Sequence, residues 1–330
     1  MKTARLANGS LSGLLAAVGL LTATFSHSHA ADEAWDELPN GVTGRIATFS
    51  GVGGGTIAGY VRKPAGAGPF PLVILLHGGA PTAKAVTAAG EEERIQAAAA
   101  EADRASRQLG RAQNPPIPDF LAQGWAVYSI DFRTNPRYTL DPLEWDDTAI
   151  AVQKAKEFSF VDPQRIAMVG GSHGGHVTAR MASRVKLTCA VLLAPAGLDL
   201  FALGRVAEQG TPIGGNQWLI RELEQRAGVK LSEIQQIPAA YHYSSPRTEI
   251  DQVQCPVLMI SGRNDPNAPL AVMDEYMADL HGKGIETETY HPDNGPHGFY
   301  FGIPQVIPET AESTKQAVEF IKKRFEGVGK

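Results

Sequence analysis

A surplus of basic residues is missing from this chain. Its 30 Lys and Arg are set against 35 Asp and Glu, giving a formal net charge of −5 and a pI near 6.0. That balance leaves no electrostatic footprint for nucleic acid. No Lys/Arg cluster of the kind that docks on anionic membrane is present either, and neither are internal repeats or low-complexity tails. Cysteine is scarce: Cys189 and Cys255 are the only two. Neither sits on a turn beside a base, which excludes a thiol nucleophile. The apolar run from Leu11 to Phe25 is too short to cross a bilayer comfortably, so no stable membrane anchor is expected.

What the first 30 residues do hold is the pattern of a cleaved export signal. Lys2 and Arg5 make a positive start, Leu11 to Phe25 an apolar middle, and Ser28-His29-Ala30 offers small groups where a signal peptidase reads. Cleavage is expected after Ala30 or Ala31, with a periplasmic or secreted product. No cysteine lies near that junction and no Arg-Arg pair precedes it, which disfavours lipoprotein processing and twin-arginine export. Export would expose both cysteines to oxidation. They stand near the starts of strands expected to be neighbours, so a bridge is geometrically open; the other reading is two buried thiols behaving as small apolar residues.

The remaining residues, 31–330, suit a single domain with one large core. Arg45 to Ser50 and Thr56 to Arg62 read as strands joined by a Gly-rich turn. Leu72 to Leu76 and Trp125 to Ile130 are continuous apolar runs, as expected of strands buried on both faces. Further strands follow near Ile166, Thr188 to Ala194, Pro256 to Ser261 and Glu286 to Tyr290. Helices are expected after Asp141-Pro142, from Val177 to Val185, from Leu270 to His281, and from Pro308 to Phe325. Strands alternating with helices mean an α/β fold: a mostly parallel sheet of about eight strands, helices on both faces, antiparallel only at its N-terminal edge. Two stretches depart from the repeat. One is a helical insertion, residues 82–116, Ala/Glu/Arg-rich to Gly110 and closed by Asn114-Pro115-Pro116. The other is residues 197–253, with a helix near Gln217 to Arg226. Either is placed to cap a site; the alternative for each is a surface excursion.

The most informative segment is Arg165-Ile-Ala-Met-Val-Gly-Gly-Ser172-His-Gly-Gly175. A short β-branched run enters Gly-x-Ser-x-Gly and a helix follows, which is the context a nucleophile elbow requires. A serine hydroxyl needs a base to take its proton and an acid to orient that base. In doubly wound hydrolases these follow in the order Ser, Asp, His. Asp265, just past a strand end, is the expected acid, with Asp199 as runner-up. His297, in Asp293-Asn-Gly-Pro-His-Gly-Phe299, is the expected base, leaving His291 as a solvent or packing residue. The oxyanion is expected to bind the backbone N–H of His173 and that of Gly79, or failing that Ala80. The His173 ring should lean along its helix, away from the serine Oγ. His173 and His176 lack further matched ligands, so no metal is expected. Trp218, Tyr241 and Phe299, with Tyr243, Tyr300 and Phe301, either line an acyl or alcohol pocket or pack in the core.

These motifs, together with Asp162-Pro163-Gln164-Arg165-Ile166, Ser245-Pro246, Gly262-x-x-Asp265 and Gly-Pro-His297-Gly-Phe, resemble the catalytic domain of the prolyl oligopeptidase family. Gly59-Tyr-Val-Arg-Lys-Pro64 before His77-Gly-Gly resembles dienelactone hydrolase-type proteins of the same superfamily. The resemblance implies the α/β-hydrolase fold, the triad Ser172, Asp265 and His297, and no cofactor. It also has gaps. The chain has no room for a β-propeller, no counterpart of the Glu pair that reads a free N-terminus was located, and Ser172 stands where dienelactone hydrolases use cysteine. The expected function is therefore a serine hydrolase acting on carboxylic esters. A propeller-free peptidase or amidase acting on short peptides is the alternative, and a non-catalytic binding module is the third reading.

Overall fold

β-Branched and aliphatic runs build the sheet that carries every residue of interest. The computed structural model describes residues 35–78, 116–133, 140–231, 245–301 and 308–329. The N-terminal stretch read as an export signal, the 82–116 insertion up to residue 115, Gly79, Ala80, Tyr241 and Tyr243 lie outside the described residues. Strands β1 (Asp36–Glu37), β2 (Thr43–Ser50) and β3 (Thr56–Lys63) form an antiparallel edge, with Ser50 opposite Thr56 across the Gly-rich turn. Then come β4 (Phe70–Leu76), β5 (Ala126–Asp131), β6 (Val161–Gly171), β7 (Cys189–Leu193), β8 (Val257–Ile260) and β9 (Thr287–Tyr290). The sheet order is β1-β2-β3-β5-β4-β6-β7-β8-β9, and every pairing from β5 onward is parallel.

The sheet has nine strands rather than about eight. The extra one is β1, two exposed residues with no apolar alternation to announce it. In the centre, Leu72 to Leu76 are all buried, as their continuous apolar run requires of a strand covered on both faces. Each such side chain contributes roughly 1.5–3 kcal/mol by leaving water.

Helices cover the sheet: α1 (Ile117–Ala122), α2 (Pro142–Ala155), α3 (His173–Arg184), α4 (Leu200–Glu208), α5 (Asn216–Ala227), α6 (Leu270–Gly282) and α7 (Glu309–Gly327). Helix α2 starts where the sequence says it should. Asp141 accepts the Leu143 N–H at 3.0 Å, and Pro142 occupies the first helical position, where no N–H is needed. Helix α4 was not legible beforehand. Asp199 caps it by accepting the Ala202 N–H at 2.9 Å, so the runner-up acid is occupied as a cap. The segment between β7 and β8 thus holds α4, α5 and a 3-10 turn at Pro246–Gln252.

Cys189 and Cys255 sit at the adjoining ends of β7 and β8, and both are free and buried. The thiol reading therefore holds, and no bridge exists. Burial pushes the Cys255 thiol up to about 12 and Cys189 well above its usual range, so neither is a nucleophile at neutral pH.

His176, one turn into α3, is buried against Trp145, its Nδ1–H donating to the Ala196 carbonyl at 3.1 Å. Burial, then the Arg180 charge, holds its pKa well below 6.5. Above that pH the ring is neutral in both folded and unfolded chains. As pH falls through it, the unfolded chain binds a proton that the native state refuses. Stability therefore drops with a slope of up to one proton, about 1.4 kcal/mol per pH unit. Urea midpoints between pH 7 and about 5, above the carboxylate range, should fall more steeply for the native protein than for His176→Gln. Equal slopes would disprove this assignment.

Candidate active site

Strand β6 ends at Gly171 and helix α3 starts at His173, which leaves Ser172 alone on the turn. Its φ of 53° and ψ of −114° lie where L-residues are strained. Three backbone hydrogen bonds hold it there: Ser172 N–H to the Leu193 carbonyl (2.8 Å), and the His176 and Ala196 N–H groups to the Ser172 carbonyl (3.1 and 3.0 Å). The turn is too tight for side chains on either flank. A Cβ on Gly170 would stand 2.1 Å from the Gly174 oxygen, and one on Gly174 2.4 Å from the His77 oxygen. Only glycine meets both demands.

Sheet topology brings the partners in. β7 and β8 follow β6 in parallel, so the loop after β8 opens beside the elbow. Asp265 lies on that loop with its side chain fully buried, and His297 lies on the loop after β9 with 28% of its side chain exposed. The His297 Nε2 is 2.9 Å from the Ser172 Oγ, and its Nδ1 is 2.7 Å from Asp265 Oδ2. The second carboxylate oxygen, Oδ1, accepts the Asn267 N–H at 2.8 Å. Three side chains separated by up to 125 positions in sequence thus form one hydrogen-bonded line.

The arrangement can do one thing well. The Ser172 hydroxyl can pass its proton to His297, whose other nitrogen is kept protonated by the buried carboxylate. The His173 N–H lies in the first turn of α3, where helix geometry supplies no acceptor, and the helix dipole favours negative charge at that spot. The expected second donor, Gly79 or Ala80, falls outside the described residues. His77 and Gly78, just before it, lie against the elbow.

Other expectations divide. The His173 ring does turn away from the serine, its Nε2 reaching Glu144 Oε2 at 2.6 Å. His291 is a packing residue, held by Ser261 and Asp274. His173 and His176 face different partners and do not converge on a metal position. Phe299 is fully buried and packs edge-on to Tyr300. This corrects its reading as a pocket residue, since a side chain without exposed surface cannot meet substrate in this conformation. Trp218 is half-buried against the core. Glu144 was missed as a site residue, and Tyr300 was expected only as a pocket or core aromatic, not as a neighbour of the nucleophile. The Tyr300 hydroxyl stands against the Ser172 backbone; burial, then the Asp265 charge, pushes its pKa up, so it stays protonated. Glu144 lies in the buried face of α2 with Thr148, Ala151, Val152 and Ala155. Two acids, Glu144 and Asp147, fall among the buried positions of that helix, and acids at core-facing positions were the available signal.

The model of the Alpha/beta hydrolase family matches residues 73–302, which include all of this geometry. The chain belongs to the alpha/beta hydrolase family. Among its relatives, this hydrolase is 28% identical to the acylamino-acid-releasing enzyme of Arabidopsis thaliana over 195 residues, which is 52% of this chain and 24% of that one. The chain thus spans about a quarter of that relative. Among solved structures it superposes on the hyperthermophilic esterase from Pyrobaculum calidifontis with a TM-score of 0.59 and 22% identity, covering 85% of each chain. It matches the Pyrococcus horikoshii acylaminoacyl peptidase with a TM-score of 0.62 and 15% identity, covering 88% of this chain and 43% of that one. Both structural likenesses speak to the fold. Among the described residues, no helix is long and apolar enough to cross a membrane.

Proposed function

We propose that this protein is a serine hydrolase cleaving carboxylic esters of small molecules through an acyl-enzyme on Ser172. The observation that carries the reading is the unbroken line from the Ser172 Oγ through both His297 nitrogens to Asp265. His297 Nε2 takes the hydroxyl proton as Oγ bonds to the acyl carbon. The carbonyl oxygen gains the negative charge beside the His173 N–H. His297 then returns the proton to the leaving oxygen as the C–O bond breaks. A water molecule repeats the two steps on the acyl-enzyme and frees the acid. None of these steps calls for a cofactor.

Likeness to an acylamino-acid-releasing enzyme favours a second reading, hydrolysis of short acyl-peptides or aminoacyl amides. The relay would be the same, but an amine leaves less readily than an alcohol and demands firmer protonation by His297. The chain's own N-terminus, with Lys2, Arg5 and Ser28-His29-Ala30, supports export of the enzyme to the periplasm or beyond. The deciding measurement is kcat/KM over a graded series of p-nitrophenyl acyl esters beside aminoacyl and dipeptidyl anilides. Esters are expected to be turned over with a clear optimum in acyl length. Hydrolysis of the anilides alone would overturn the ester assignment and leave the hydrolase intact.

A further inference from the structure

Glu144 is a fully buried carboxylate near the elbow that the relay does not use. Its Oε2 meets His173 Nε2 at 2.6 Å, while Oε1 has no hydrogen-bond partner. His173 is itself 3% exposed, and its Nδ1 is likewise without a partner. Packing alone would be served at lower cost by an apolar residue of similar volume, because an under-partnered buried acid is expensive. The pair also does not stand alone. The Phe132 ring lies between two imidazoles, 4.6 Å from His77 in a stacked arrangement and 5.5 Å from His173 in a tilted one. His77 in turn has Nδ1 3.0 Å from the Gly78 carbonyl and Nε2 3.6 Å from Asp131. A file, buried except at the partly exposed Asp131, therefore runs Asp131, His77, Phe132, His173, Glu144. It joins the turn after β4 to the first residue of α3, the two segments between which the oxyanion would sit.

We propose that Glu144 is a positioning residue for the oxyanion pocket, acting through His173 and the Phe132 spacer. The proposal rests on the serine-hydrolase reading and adds a part to it. By accepting the Nε2–H, Glu144 sets the tautomer and rotation of the His173 ring and draws it away from Ser172. The ring is joined through Cβ alone to the Cα whose peptide N–H must point at the developing charge, so tethering the ring restrains that N–H. Phe132 fixes how far this restrained turn stands from His77 and the β4 turn.

The test compares Glu144→Ala, Glu144→Gln and Phe132→Leu with the native enzyme in kcat, KM, and affinity for a phenylboronic acid. Such an acid adds to the serine as a tetrahedral anion whose oxygen occupies the same pocket. Glu144→Ala should lose about 10- to 100-fold in kcat, part of the 10²–10³ that outright loss of a donor costs. KM should change little, and boronate affinity should weaken by the same factor as kcat. Gln keeps an acceptor for Nε2–H and should restore most of both. A merely structural role would lower thermal stability without moving kcat and boronate affinity together. Folded Glu144→Ala with native kcat, a fall in kcat with boronate affinity intact, or Gln as damaging as Ala would each overturn the proposal. If Glu144→Ala does not fold, Phe132→Leu carries the test: it should show the same joint loss, and unchanged kcat and boronate affinity would overturn the spacer and tether together. A native protein that a fluorophosphonate fails to label would instead overturn the hydrolase reading itself, and this proposal with it.

Discussion

Ser172→Ala is expected to abolish ester turnover, with kcat falling about 10⁶-fold, as it does when the nucleophile of a serine relay is removed. The size of the effect follows from what remains. His297 still faces the site at hydrogen-bond reach, and the His173 N–H still offers its dipole, but no oxygen is left to form the acyl bond. Binding contacts are untouched, so KM should move little. The fold should survive as well. The three backbone hydrogen bonds at the elbow involve only main-chain atoms of residue 172, and alanine meets the φ of 53° at a cost like that of serine. Mass spectrometry after fluorophosphonate treatment gives the sharpest check, with one adduct on the native protein and none on Ser172→Ala. Labelling that persists in the alanine variant would remove Ser172 from the mechanism.

How much of this could be read before the fold was known depended on whether the physics is local. The elbow was legible because its requirements lie within six consecutive residues: a strand leading in, glycines flanking the serine, a helix leading out. Asp265 and His297 were legible because parallel strands end at one edge of the sheet, so residues just past strand ends meet. The α2 start was carried by Asp141-Pro142 alone. What could not be read is tertiary. Strand β1 is two polar residues held by pairing with β2, and pairing leaves no periodic trace in two positions. Phe299 looked like a pocket residue because it follows His297 by two; only the packed loop shows its ring turned inward against Tyr300. Glu144 is 29 positions from His173 and on another helix, so its partner is invisible to any local pattern. The cysteines show the middle case. Their neighbourhood was read from strand order, whereas their state depends on burial.

Asp265→Asn should be nearly as damaging, for a reason set by one backbone hydrogen bond. The carboxylate now accepts twice: from the Asn267 N–H at Oδ1 and from His297 Nδ1–H at Oδ2. An asparagine has one oxygen and one NH₂ group for these two positions. The Asn267 N–H is fixed in the chain and can only donate, so the amide oxygen must turn to it. The NH₂ group then faces His297 Nδ1, which has to become an acceptor. That forces the ring proton onto Nε2, the nitrogen 2.9 Å from the Ser172 Oγ, and a protonated nitrogen cannot take the serine's proton. The steric change is a single isosteric swap, so the native geometry and Tm should persist while kcat falls about 10⁴-fold, as expected for an inverted tautomer in a serine relay. Fluorophosphonate labelling should slow in parallel, because it uses the same proton transfer. A folded Asp265→Asn variant that labels and turns over at the native rate would show that Asp265 does not set the tautomer, and another acid would have to be found. Asp199 would be a poor replacement, since both its oxygens are engaged elsewhere, Oδ1 by the Ala202 N–H at the head of α4 and Oδ2 facing Arg247 at 3.7 Å.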